Sequence, residues 1–214
     1  MTIEKETKTL HYFIVADASG SMGDQIVEVR MELNNHFKVL KEKAAETGDT
    51  VKVSLITFDT RIQWELTGVL AHDLPVITDR DYRAGGMTAL FDAVGTTIHK
   101  AAYQVGSFDP EKESVWVMVF SDGGENASHE FKGRHLKALL KEYQEKAGWT
   151  VTFTGCDISG LEDMKAMEFR MDRTRDYQSY EKAKAFRDLN QTYTSFLEKR
   201  MSSFDFKKPS QDEL

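Results

Sequence analysis

One aspartate and two serines at alternate positions follow the first apolar run of this sequence. Phe13 to Ala16 are all apolar, and Asp17, Ser19 and Ser21 come directly after them. Alternate residues of an extended chain face the same side, so one carboxylate and two hydroxyls can converge on a single point. All three are hard oxygen donors, which select Mg²⁺, Mn²⁺ or Ca²⁺ over zinc or copper. The spacing therefore indicates part of a divalent cation site.

Two further polar segments, both rich in glycine, carry donors of the same kind. Residues 84–90, AGGMTAL, contain Thr88, and residues 121–126, SDGGEN, contain Asp122. Their glycines let both loops turn sharply and approach the first segment. Two carboxylates would neutralise a divalent ion, but if one of them acts through a water, the inner shell carries only one negative charge and the neutral hydroxyls add none. An octahedral ion held in this way keeps a position for an oxygen from another molecule.

Apolar runs predict the strands that must position these segments. The first and fourth runs are unbroken, which is typical of strands covered on both faces. The third alternates and follows the second after the short turn Asp59-Thr60-Arg61, so it is predicted to be an antiparallel partner at a sheet edge. The strand candidates are residues 9–16, 51–58, 62–69, 115–121 and 150–156.

Helical spacing of apolar residues predicts helices between and after these strands. The apolar stripes run from Ile26 to Ala44, from Leu90 to Val105 and from Leu136 to Ala147, and Gly48 and Gly148 are predicted to close the first and the third. Further helices are predicted at residues 159–167 and 181–201. This alternation predicts an α/β fold with a doubly wound, Rossmann-like, mostly parallel sheet and helices on both faces. Ligands of such sheets bind beyond the carboxyl ends of the strands, where the three polar segments fall.

Composition restricts the kind of protein that this chain can be. The net charge of −7, from 35 acidic and 28 basic residues, argues against a nucleic-acid or anionic membrane surface. Cys156 is the one cysteine, which excludes an intrachain disulfide. We expect a single cytoplasmic domain over residues 9–203, with flexible ends at residues 1–8 and 204–214.

The three polar segments together resemble the metal-ion-dependent adhesion site (MIDAS) of von Willebrand factor type A (vWA) domains. Order, context and spacing all agree with that site. The resemblance implies that Asp17, Ser19, Ser21 and Thr88 are metal ligands, with Asp122 bound directly or through a water. It also implies a six-stranded sheet and is closest to compact cytoplasmic bacterial or phage-type members. Residues 168–180 fit the family pattern poorly, which leaves the course of the sixth strand open.

The resemblance implies a metal-dependent protein–protein interaction module rather than an enzyme. Magnesium is the expected ion, with manganese or calcium as alternatives, and the partner protein would present a glutamate or aspartate to it. A scaffold for an AAA+ ATPase or for a kinase or phosphatase system is a further possibility. A metal-dependent phosphohydrolase with Asp17 as nucleophile is another. That chemistry needs a second acid two residues later, where this chain has Ser19, and a lysine, which neither later loop contains.

Simpler roles also exist for several of these residues. Ser21 could cap the first helix, and Thr88 could cap the second while also binding a metal. Glu125 and Asn126 are expected to be loop residues, with contact to a partner as the alternative. Asp59 is expected to be a turn residue.

Overall fold

The computed structural model describes residues 7–122, 124–156 and 174–177, and positions 184, 187, 188, 190, 193 and 194. The described helices are α1 (Ile26–Thr47), α2 (Leu90–Val105) and α3 (Gly133–Glu145), with 3₁₀ turns at Gly20–Asp24 and Ala71–Asp73. The described strands are β1 (Thr9–Asp17), β2 (Thr50–Phe58), β3 (Ile62–Leu70), β4 (Glu113–Ser121), β5 (Trp149–Cys156) and β6 (Thr174–Tyr177).

The strands form one sheet in the order β3-β2-β1-β4-β5-β6. Every pairing is parallel except that of β2 with β3. This arrangement confirms the predicted α/β fold with a mostly parallel sheet and an antiparallel edge strand. Strands β1 to β5 have eight or nine residues each, whereas β6 has four and pairs with β5.

Apolar layers cover both faces of the sheet, and β1 contributes to each. Tyr12 and Ile14 pack in the layer that contains α1, whereas Phe13 and Val15 pack in the layer that contains α2 and α3. All four side chains are buried. A strand buried on both faces needs apolar residues at successive positions, which explains the unbroken run before Asp17.

Helices α1 and α2 have the predicted bounds, and α3 contains most of the predicted apolar stripe but is not closed by Gly148. Gly48, at φ 76°, ends α1 as predicted. Helix α3 runs from Gly133 to Glu145, and Lys146 follows its last residue. Gly148 instead forms a tight turn into β5 at φ 76°, where a β-carbon would lie 2.4 Å from Cζ of Phe108.

The C-terminal part of the sequence is described only at separate positions. The described positions from 184 to 194 are helical, and Tyr193 is buried as the predicted helix requires. The rest of that helix and the predicted helix at 159–167 lie outside the described residues. Within the described part of the chain, no helix has the length and apolar character needed to span a bilayer.

Candidate metal centre

The candidate site lies where the strand order reverses in the middle of the sheet. Strand β1 pairs with β2 on one side and with β4 on the other. The helix that follows β1 packs on one face, and the helix that follows β4 packs on the opposite face. The loops therefore part beyond the carboxyl ends of these two strands, which creates a crevice for ligands. Asp17 ends β1, and Asp122 follows the last residue of β4.

Asp17 lies at the bottom of this crevice, at the end of β1, and its side chain is 0% exposed. Its Oδ1 accepts a hydrogen bond from the backbone N–H of Ser19 at 2.7 Å, and its Oδ2 accepts one from the hydroxyl of Ser121. The Tyr82 hydroxyl donates to the carbonyl oxygen of Asp17 at 2.6 Å. These bonds fix both the side chain and the backbone at the end of β1.

Burial raises the pKa of Asp17 to about 6, against the lowering effect of its hydrogen bonds from Ser121 and Ser19. The nearby charge of Asp122 raises this pKa further. Burial and repulsion both disfavour the ionised carboxylate. A cation in the crevice would offset both effects.

Ser19, Ser21 and Asp122 form a connected cluster of oxygens above Asp17. The Ser21 hydroxyl donates to Oδ1 of Asp122 at 2.8 Å and lies 3.0 Å from Oγ of Ser19. Ser19 is buried, Asp122 is partly buried and Ser21 is exposed, so the cluster reaches from the bottom of the crevice to the surface. The structure thus brings together four of the five predicted site residues.

Thr88, the fifth residue, lies on a loop that is tied to the serine loop by its backbone. The N–H of Gly20 donates to the carbonyl of Gly86 at 3.1 Å, and the N–H of Gly85 donates to the carbonyl of Ala18 at 2.8 Å. Thr88 is 4% exposed. Among the described residues, the hydrogen bonds of Thr88 are made by its backbone, with Asn126 and Ala127, so the two loops are joined through their backbones rather than through the Thr88 hydroxyl.

Gly86 can hold this loop in place only because it is a glycine. Its φ is 70°, a conformation that other residues rarely adopt. A β-carbon at this position would lie 3.0 Å from both Oδ2 of Asp59 and Oγ1 of Thr60. Asp59 itself lies in the β2–β3 turn as predicted, where its carboxylate accepts a hydrogen bond from the N–H of Arg61.

The alternative prediction that Ser21 and Thr88 cap helices was wrong. Ser21 lies inside the 3₁₀ turn, and the residue before α1 is Gln25. Helix α2 is preceded by Ala89, whose side chain offers no cap. The N-cap positions of α1 and α2 are thus Gln25 and Ala89, and not the two residues that were predicted.

Glu125 and Asn126 lie in a loop, as predicted, but they also attach that loop to the start of α2. The carboxylate of Glu125 accepts the N–H of Phe91 at 2.8 Å and the N–H of Ala127 at 2.9 Å. Oδ1 of Asn126 accepts the N–H of Thr88 at 2.8 Å. These residues thus position the Thr88 loop against the segment that carries Asp122.

Asp92 is a positioning residue that the sequence analysis missed. It is 8% exposed, and its carboxylate accepts the backbone N–H groups of His129, Glu130 and Phe131 at 2.7 to 3.0 Å. A charged residue inside the apolar stretch LFDAVG was the available signal, because a buried carboxylate needs several donors.

The donor set fits a hard divalent cation. Across the described ranges, no group of three or more histidine, cysteine or acidic residues is placed to hold a metal. The oxygens of the cluster come instead from two carboxylates and from hydroxyls, which suit magnesium, manganese or calcium. If Asp122 binds through a water, one carboxylate and neutral hydroxyls form the inner shell, and an ion bound there would stay electrophilic.

Comparison with known proteins supports the fold through solved structures alone. No protein-family profile matches the sequence, and no curated protein matches it. The vWF domain of the type V pili tip protein Mfa5 from Porphyromonas gingivalis is 11% identical, with a TM-score of 0.59 over 97% of this chain and 99% of that one.

Two other similar structures are longer than this chain. A von Willebrand factor type A structure from Catenulispora acidiphila has a TM-score of 0.53 at 14% identity, over 87% of this chain and 42% of that one. Proximal thread matrix protein 1 from the mussel byssus, described with a zinc-occupied MIDAS motif, has a TM-score of 0.55 at 16% identity, over 86% and 46%. This chain thus spans less than half of either protein. The likeness is to the vWA-type fold.

Proposed function

We propose that this chain is a metal-dependent protein-interaction module. A divalent cation, magnesium by preference and manganese or calcium otherwise, would be held by Asp17, Ser19, Ser21, Thr88 and Asp122. When bound, the cation would supply an electrophilic position for a carboxylate oxygen of a partner's aspartate or glutamate. The observation that carries this proposal is the 2.8 Å contact between Ser21 and Asp122, which joins oxygen donors from two distant loops at the centre of the sheet.

The residues of the site would have different roles, according to how deeply they are buried. Asp17 supplies negative charge from the bottom of the crevice, where its hydrogen bonds keep it fixed. Ser21 and Asp122 lie nearer the surface, so both they and the ion would contact the partner protein. Hydroxyl and carboxylate oxygens both have lone pairs that can bind a cation, so their mutual hydrogen bond can be exchanged for bonds to the ion.

The similar structures support a binding role at the level of the fold. One of them is described with zinc in its MIDAS motif, and another is a pilus tip domain. We extend a metal-dependent role to this chain on the basis of its own oxygen cluster. A cytoplasmic location and a scaffold role beside an ATPase, kinase or phosphatase belong to the same proposal, since they change the partner and not the chemistry.

Protein binding accounts for the site better than phosphate hydrolysis does. Asp17 is fully buried, and both of its carboxylate oxygens accept hydrogen bonds. These bonds withdraw electron density from the oxygens that would have to attack phosphorus. A carboxylate in this position is better suited to binding a metal ion than to attacking a phosphate.

Calorimetric titration with Mg²⁺ and Mn²⁺ tests the proposal. We expect Asp17→Ala to lose metal binding by at least about a hundred-fold, because it removes the buried negative charge of the site. Asp59→Asn is the matched control, since it removes a carboxylate from the neighbouring loop and should leave metal affinity unchanged. Equal affinity of the wild type and Asp17→Ala would contradict the proposal. Capture of a partner protein that EDTA abolishes would then identify what the site binds.

A further inference from the structure

The β2–β3 turn holds the loop that carries Thr88, at the residues on either side of Thr88. The N–H of Met87 donates to Oγ1 of Thr60 at 3.0 Å, and the N–H of Ala89 donates to the carbonyl oxygen of Asp59 at 2.9 Å. Asp59 thus acts through its backbone and Thr60 through its side chain. Of these two contacts, only the one made by Thr60 can be removed by a substitution in the turn.

Thr88 itself is bonded by the loop after β4. Its N–H donates to Oδ1 of Asn126 at 2.8 Å, and its carbonyl oxygen accepts the N–H groups of Asn126 and Ala127 at 3.0 and 3.2 Å. Asp122 begins the same loop, directly after β4. Strands β2 and β4 lie on opposite sides of β1, so hydrogen bonds reach the backbone around Thr88 from both halves of the sheet.

The Thr60 hydroxyl lies against the backbone of two successive residues of the Thr88 loop. Besides accepting the N–H of Met87, its Oγ1 would be 3.0 Å from a β-carbon placed on Gly86. The side chain of Met87 is 55% exposed, so its burial contributes little to holding this part of the loop. The hydrogen bond to Thr60 is therefore the main contact of the backbone immediately before Thr88.

We propose that Thr60 is a positioning residue for the metal centre. The inference rests on the proposed function, in which the hydroxyl of Thr88 binds the ion. Thr60 is not a candidate ligand, and it would act through the N–H of Met87. A ligand whose backbone is already fixed does not have to be ordered when the ion binds, so the affinity for the ion is higher.

A threonine at the opposite edge of the sheet allows this role to be separated from a purely structural one. Oγ1 of Thr47, at the end of α1, accepts the N–H of Asp49 at 3.2 Å. Asp49 directly precedes β2, whereas Thr60 follows the end of that strand. Thr47 and Thr60 thus both accept a backbone N–H, but only Thr60 does so beside the metal centre.

Calorimetric titration with Mn²⁺ tests the inference. Thr60→Val keeps the shape of the side chain and removes the acceptor, so it should weaken Mn²⁺ binding about ten-fold, as loss of a group that orients a metal ligand does. Thr60→Ser and Thr47→Val should bind within about two-fold of the wild type, because both keep the acceptor of the Met87 N–H. Equal affinity of Thr60→Val and the wild type would overturn the inference, as would a loss that Thr60→Ser does not reverse.

Amide hydrogen exchange in EDTA measures whether Thr60 fixes the loop when no ion is bound. In Thr60→Val the N–H groups of Thr88 and Ala89 should exchange about ten-fold faster, although their own acceptors are unchanged, because the loop opens more often. The N–H groups of β1 should exchange as they do in the wild type. Unchanged exchange at Thr88 and Ala89 would contradict the inference.

The Asp17→Ala variant distinguishes a failure of this inference from a failure of the proposed function. If Asp17→Ala loses Mn²⁺ binding and Thr60→Val binds as the wild type does, the proposed function is supported and this inference is wrong. A wild type that binds no Mn²⁺ contradicts both. Faster exchange in Thr60→Val without any change in Mn²⁺ affinity would show that the position of the loop does not affect the ion, which also contradicts the inference.

Discussion

His36 is a fully buried histidine on the inner face of α1, and its surroundings keep it neutral. Its Nδ1 donates to Oδ1 of Asn190 at 2.7 Å, and its Nε2 accepts from the hydroxyl of Tyr12 at 3.2 Å. Tyr193 contacts the ring edge-on, with centroids 5.8 Å apart. Burial lowers the pKa of His36 to about 4, from an ordinary value of 6.5. This residue joins α1, β1 and the C-terminal segment.

We expect this histidine to make the fold sensitive to acid. In the unfolded chain His36 takes up a proton near pH 6.5, and in the folded chain only near pH 4. The stability that depends on neutral His36 is therefore fully present above pH 6.5 and is lost as the pH falls towards 4. By pH 4.5 the loss should be about 2 to 3 kcal/mol. Urea denaturation at pH 7.5 and pH 4.5 measures it, with His36→Gln as the comparison. A variant whose stability falls as steeply as that of the wild type would contradict the assignment.

Helix α2 and the loop before α3 fit together through a glycine. A β-carbon on Gly95 would lie 2.4 to 2.6 Å from the ring of Phe131, a separation that real β-carbon contacts do not show. Asp92, one turn earlier on α2, accepts three N–H groups of the same loop. The glycine and the aspartate therefore act together to seat this loop on the helix, next to the segment that carries Asp122.

Gly95→Ala should lower the free energy of unfolding by about 1 to 3 kcal/mol, because the added methyl group collides with the Phe131 ring. Helix propensity alone predicts the opposite, since alanine favours a helix by up to about 1 kcal/mol over glycine. Gly133→Ala is the matched control, because its β-carbon would lie 3.7 Å from Phe91 and meet only ordinary contact. Chemical denaturation measures the free energy of unfolding of both variants. A Gly95→Ala variant that is more stable than the wild type would show that the loop is not packed as described.

The sequence predicted the elements better than it predicted what joins them. The strands before and after the Asp59 turn follow from local alternation and a short connection, and the structure places them as a hairpin at the sheet edge. Local patterns carry this information because the alternation of apolar and polar residues and the residue types of a turn are both visible within a few positions. The end of α3 was predicted too late, because Gly148 serves the turn into β5 and packs against Phe108, which is distant in sequence.

The same limit holds for the candidate site. Asp17, Ser19, Ser21 and Asp122 were predictable because their residue types and loop positions carry the chemistry. The role of Asp92 was not, since it depends on which backbone N–H groups the fold brings near its carboxylate. Such long-range polar contacts leave no periodic trace in the sequence.

For the molecule as a whole, metal binding should appear as increased stability, because an ion that binds only the folded chain shifts the unfolding equilibrium. At an ion concentration about 100 times the dissociation constant, the gain is about 2.7 kcal/mol. For a chain of this size that corresponds to a rise in Tm of about 5 to 10 °C. Differential scanning calorimetry with Mg²⁺ or EDTA measures it. The Asp17→Ala variant should show no rise, and an equal rise in that variant would place the ion elsewhere.

The bond between Ser21 and Asp122 spans 101 positions of the chain. Bringing two points so far apart together costs loop-closure entropy, which the pairing of β1 with β4 has to offset. No fragment shorter than that span can assemble the centre, and an unfolding event that separates these two strands dismantles it. Occupancy by the proposed ion would therefore report whether the middle of the sheet has formed, and a metal titration would also test for the native topology.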